Sequence, residues 1–191
     1  MRLSAAISGD PMSLKTHFDL LAGYNRWMNA GIYDAAARLD AESLARDRGA
    51  FFHSILGTLN HIVVGDTIWL KRYALHADFA PALAEVVAQP DPQRLDQILF
   101  ADLAELCAHR EWLDGQISGF VGGLSEADFA TVVSFRSMAG VPSSKQLSHL
   151  LLHFFNHQTH HRGQVTTLLS QAGVDPGPTD LLLRVPELHR E

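Results

Sequence analysis

Apolar residues recur at three- and four-residue intervals in four long stretches, a periodicity that predicts four amphipathic helices. Leu14, Phe18, Leu21, Asn25, Met28 and Ile32 share one face of a first helix running from an N-cap at Ser13 to about Leu39. A polar loop, 40–49, follows. The second helix runs from near Ser54 to about Tyr73 and is apolar nearly all round, which marks a helix buried within a bundle. Its only interior imidazole is His61. Pro81, Pro90 and Pro92 forbid a continuous helix over 78–92. A third helix is expected from Pro92, which suits a first turn, to Phe120, with Leu95, Ile98, Leu99, Leu103 and Leu106 among its apolar positions and Gly122-Gly123 ending it. In 124–143 the run Phe129 to Phe135 contains Val132 and Val133, so a short extended segment or hairpin fits there. The fourth helix spans Lys145 to about Ala172, with Gly173 as C-cap and Pro176 just beyond. In the tail, Leu181 to Leu183 form one short apolar run able to pack. With no internal repeat and no long linker, residues 1–191 read as a single all-α domain, an up-and-down four-helix bundle with one irregular excursion before the last long helix.

Composition narrows the function. The chain is 47% hydrophobic and 19% charged, the balance of a compact soluble protein. Its formal net charge of -6, without a cluster of Lys and Arg, argues against nucleic acid or an anionic membrane surface as partner. No apolar stretch of about twenty residues is present to span a membrane. Met1 to Pro11 lacks the apolar core of a secretory signal. The single cysteine, Cys107, rules out an intramolecular disulfide and fits a reducing cytoplasm. In its apolar helical run it reads as a small core residue.

Histidine is the outlier. Of 11 in the chain, five fall between His149 and His161. His149, His153, His157 and His161 stand four apart, one above the other on a helix, with His160 alongside. That spacing can place two imidazoles on one metal ion, as on metalloprotease helices. At about 100° per residue, Leu147, Leu150, Leu151, Phe154, Val165, Leu168 and Leu169 define the apolar face. His161 falls near its middle and His157 on its edge, whereas His153, His160 and His149 turn progressively toward solvent. An unpaired polar group in a core costs about 1–3 kcal/mol. Two inward imidazoles side by side are therefore either core histidines with hydrogen-bond acceptors of their own or a pair bridged by a metal ion.

The segment Asn156-His157-Gln158-Thr159-His160-His161-Arg162-Gly163-Gln164-Val165, with Leu168-Leu169 after it, closely resembles the last-helix signature of the DinB-like (DinB/YfiT-like) damage-inducible proteins. These are metal-binding four-helix proteins, distinct from the DNA polymerase that shares the name. Leu59-Asn60-His61-Ile62, followed by Asp66 and Trp69, resembles that family's second-helix signature, and Tyr24-Asn25-Arg26-Trp27-Met28-Asn29 its first helix. The resemblance implies a DinB/YfiT-like bundle whose three metal ligands fall on His61, His157 and His161. Three imidazoles without a fourth protein ligand leave an open position, as in catalytic sites, and suit zinc or nickel. Each ligand is expected to donate its other ring N–H to an acceptor, for which Asn60 and Asp66 are near in sequence. Arg162, beside the site, is a candidate for an anionic substrate group or a surface salt bridge. Wider relatives suggest activation of a low-molecular-weight thiol. Metal-hydroxide hydrolysis ranks lower, because no HExxH-type glutamate follows a ligand. A metal-binding stress or interaction protein without turnover is the alternative from another class. A homodimer is the expected assembly.

Overall fold

Ser13 caps the first helix as expected. Its hydroxyl accepts the Thr16 amide at 3.2 Å, and α1 runs Leu14–Ala36. In the computed structural model, which describes residues 13–187, three further long helices follow: α3 (Ile55–Tyr73), α5 (Leu103–Gly123) and α6 (Leu147–Gln171). Two short helices, α2 (Ala41–Ala45) and α4 (Ala84–Val87), lie in the first two connections. The predicted exclusion of a secretory signal over Met1 to Pro11 concerns residues outside those described. Ser54 caps α3 through the Gly57 amide at 2.9 Å. α6 ends in a Schellman turn: Gly173, at φ +80°, donates to the Ser170 carbonyl, and Val174 donates to that of Leu169.

The excursion before the last helix is a hairpin, β1 (Val132–Arg136) against β2 (Pro142–Gln146), with Ser134 opposite Ser144. Val133 points into the core, and Phe135 meets the Trp69 ring edge-on at 5.3 Å. Among the described residues no helix is long and apolar enough to cross a membrane.

Residue pairing fixes the helix directions. α3 and α5 are parallel, since Asn60 bonds Phe100, Asp66 bonds Arg110 and Tyr73 stacks on Phe120 in the same order along both. α6 runs against α3, because His61 faces His161, Asp66 faces Gln158 and Tyr73 faces Leu150. α1 runs with α6, through Phe18 on Phe155 and Asn25 on Arg162. The expected four-helix bundle is therefore an up-down-down-up arrangement, and the 74–102 connection returns along the length of the bundle.

That return corrects the third helix. Residues 91–102 are irregular, and the helix begins at Leu103, where the Asp102 side chain accepts the amides of Ala104 and Glu105. Leu95 and Ile98, predicted on its apolar face, are 47% and 50% exposed. The Asn60 side chain overrides the periodicity by holding the strip in a non-helical form. Its Oδ1 accepts the amides of Leu99 (2.8 Å) and Phe100 (3.0 Å), while its Nδ2 donates to the Phe100 carbonyl. The tail differs too. Only Leu181 of the predicted run packs on the core, and Leu182 and Leu183 are exposed.

Candidate metal centre

Antiparallel packing of α3 on α6 brings together the three histidines singled out in the sequence. His61 Nε2 lies 3.1 Å from His161 Nε2 and 3.3 Å from His157 Nε2, and the three donor atoms fall within 4.8 Å of one another. His61 and His161 are buried and His157 is half-buried. The far nitrogens fix the protonation. His61 Nδ1 is 2.7 Å from the Leu95 carbonyl oxygen, which can only accept, so Nδ1 carries the hydrogen and Nε2 a lone pair. His161 Nδ1 stands 2.7 Å from Gln164 Oε1, with the same consequence. Two acceptors therefore face each other at hydrogen-bonding distance with no proton between them, an arrangement that a cation resolves.

The surroundings are shaped around these rings. Phe52 lies flat on His61, with centroids 3.7 Å apart and planes 16° off parallel, and meets His161 edge-on. A tight loop sets Phe52 there. His53 adopts φ 63°, the Ser54 amide donates to the Phe52 carbonyl, and a side chain at Gly57 would fall 2.2 Å from that carbonyl oxygen. Gly65, one turn beyond His61, admits His157, for a Cβ there would stand 2.8 Å from its Cε1. Because the obstructed atom belongs to a side chain that can swing away, Gly65→Ala is expected to keep the fold but displace His157. Metal affinity then falls by about 10- to 100-fold, measurable by competition with a chelating dye.

Burial, chiefly, keeps all three imidazoles neutral. It depresses the pKa of His61 to about 4, against the Leu95 hydrogen bond, and that of His157 to about 3, with the neighbouring His161, His61, His153 and His160 adding to the shift. It lowers that of His161 despite Gln164. In metal-free protein the unfolded chain, whose histidines titrate near 6.5, takes up protons first as pH falls. Stability present above about pH 6.5 is thus lost progressively toward pH 4, as urea titrations across that window should show.

The other candidates fall elsewhere. His149, His153 and His160 are exposed, as expected, with His153 against Trp69. Neither Asn60 nor Asp66 reaches a ligand. Asn60 pins the 99–100 backbone, and the acceptors are the Leu95 carbonyl and Gln164. Gln164 stands three residues after His161, a helical spacing legible in the sequence, whereas no sequence signal marks a carbonyl in an irregular strip. Arg162 is neither a substrate anchor nor a surface group. It is 2% exposed and donates to Asn25 Oδ1 and, at 3.3 Å, to Thr159 Oγ1, with Tyr24 beneath its guanidinium. Burial pushes its pKa down to about 10.

Arg162 belongs to a buried polar layer joining all four long helices. At its centre Arg110 donates to Asp66 Oδ2 at 2.5 Å and pairs with Asp114 Oδ1 at 2.9 Å. Asn25 and Asn29 also donate to Asp114, and Gln158 donates to Asp66. Burial raises the pKa of Asp66 against the pull of Arg110. Gln158 and Arg162 directly follow the two α6 histidines. By anchoring them in the core, this layer sets the rotation of α6 that turns His157 and His161 toward α3.

The donor set fits a divalent cation. Zinc–imidazole bonds of about 2.0–2.1 Å in a tetrahedron separate ligand nitrogens by about 3.3 Å, close to both Nε2 separations observed. Three neutral nitrogen donors, those of His61 and His161 with oriented far nitrogens, form a group that can hold such an ion.

The comparisons agree with this architecture. The chain is similar to "Protein DinB" of Bacillus subtilis (strain 168), with 28% identity over 165 residues, covering 82% of this chain and 87% of the relative. No solved structure matches. The DinB family model matches residues 12–187, spanning α3, α6 and the buried polar layer, and the chain belongs to the DinB family.

Proposed function

We propose that His61, His157 and His161 hold one divalent ion, zinc or nickel, and that the chain is an enzyme acting on a small molecule at the remaining coordination position. The observation that carries the reading is the pair of lone-pair-bearing Nε2 atoms, on His61 and His161, meeting at 3.1 Å with His157 beside them. When bound, such an ion supplies Lewis acidity that brings a coordinated thiol or water toward ionisation near neutral pH. The chain's own residues do the rest. The Leu95 carbonyl and Gln164 hold the ring tautomers, Phe52 shields one side of the His61 ring from water, and half-buried His157 marks the side open to a substrate. A low-molecular-weight thiol is favoured over water as the co-substrate, because among the described residues no carboxylate stands among the ring contacts as a general base for hydrolysis. The same reading takes the protein as a cytoplasmic homodimer.

The test is elemental analysis of protein purified without chelator, beside His61→Ala, His157→Ala and His161→Ala. About one equivalent of zinc or nickel is expected in the parent, with loss in each variant. Metal-loaded protein is then assayed for thiol-dependent turnover of small electrophiles. A parent that neither carries nor takes up metal sinks the reading. Metal binding without turnover moves the protein to the non-catalytic class of stress or interaction proteins.

A further inference from the structure

A partly open cavity lies apart from the three histidines, bordered by the C-terminal part of α1, by α2 and by the first half of α5. Its volume of about 590 Å³ is within the range of small-molecule sites, about 300–1,000 Å³. Leu44, Leu56 and Leu103 give it apolar walls. Its charged lining is of one sign, comprising Asp34, Asp102 and Glu111 with no Lys, Arg or His. Asp102 is already committed, since its carboxylate accepts two amides at the start of α5 and so offsets the positive end of that helix. The field available to a ligand therefore comes from Asp34 and Glu111, both exposed, the latter also in weak contact with the Cys107 thiol at 3.9 Å. Among the described residues the only hydroxyl of the lining, on Tyr33, is 4% exposed and has no protein partner.

From this lining we infer that the cavity binds a small organic cation, with an apolar body against the leucines and an ammonium group near Asp34 and Glu111. A metal ion does not suit it, because the three histidines are the only metal-competent group among the described residues. An anion is repelled by the two rim carboxylates, and a neutral apolar ligand leaves those charges unused.

Cys107, the sole cysteine, lines this cavity and supplies the reporter. The probes are benzylamine, charged at pH 7, and its neutral analogue benzyl alcohol, tested on the full chain with and without metal. The readout is the ratio of Cys107 alkylation rates by N-ethylmaleimide with and without probe, followed over probe concentration, which cancels changes that a substitution makes in intrinsic thiol reactivity. Benzylamine is expected to protect Cys107 saturably in either metal state, with benzyl alcohol markedly weaker. Asp34→Asn and Glu111→Gln should each weaken benzylamine by about two- to fivefold without moving the alcohol. Ala108→Phe, at an exposed lining position of α5, should abolish protection by filling the space. Equal protection by both probes overturns the charge assignment. Absence of protection, or protection that survives Ala108→Phe, overturns the site.

Discussion

Arg110→Met should lower the unfolding free energy by about 3–5 kcal/mol, the cost of leaving buried charge uncompensated. For a chain of this size that corresponds to a fall of roughly 6–20 °C in the thermal midpoint. Arg110 is 2% exposed and stands between Asp66 and Asp114, themselves 0% and 3% exposed. The layer holds two carboxylates and two guanidiniums, so its charge balances only while both arginines are present. Methionine fills much the same volume but leaves Asp66 with only the Gln158 amide and Asp114 with two asparagines. Asp66→Asn in the same chain should then recover part of the loss, since it removes one of the stranded charges. On its own, Asp66→Asn should destabilise. This reversal of sign is what a double-mutant cycle reads as coupling, and two additive losses would show that the charges do not act together.

The same layer marks where the sequence could be read and where it could not. Helix-period spacing found all four long helices, the Ser13 and Ser54 starts and the Gly173 stop, because each rests on local chemistry. The α6 pair was legible for the same reason, since the helical wheel put His161 inward and His157 at the edge. The wheel did not reveal that Gln158 and Arg162 also turn inward. Polar side chains on that face are assigned to solvent unless their partners are known, and those partners are Asp66 on α3 and Asn25 on α1. The beginning of α5 failed for a related reason. Leu95, Ile98 and Leu99 carry helical spacing, but Asn60, some 40 residues earlier, captures the 99–100 backbone. The Leu95 carbonyl is thereby turned onto His61. Contacts of that range decide the surroundings of the centre, and periodicity holds no record of them.

Zinc should raise the thermal midpoint of metal-free protein substantially. A ligand at a thousand times its dissociation constant adds about 4 kcal/mol, or roughly 8–16 °C for a chain of this length. The informative variant is His161→Gln. In metal-free protein the parent holds two ring acceptors face to face at 3.1 Å, whereas glutamine at 161 has an amide N–H to offer His61 Nε2. Its metal-free midpoint should therefore match or exceed the parent's, while most of the gain on adding zinc disappears. If His161 were instead a packing residue stabilised by Gln164 alone, the variant would melt lower with and without zinc, by the same amount. Scanning calorimetry of both proteins, each with chelator and with zinc, separates the cases by sign. A site built for a cation carries a cost when empty, and removing one ligand relieves that cost while forfeiting the larger gain.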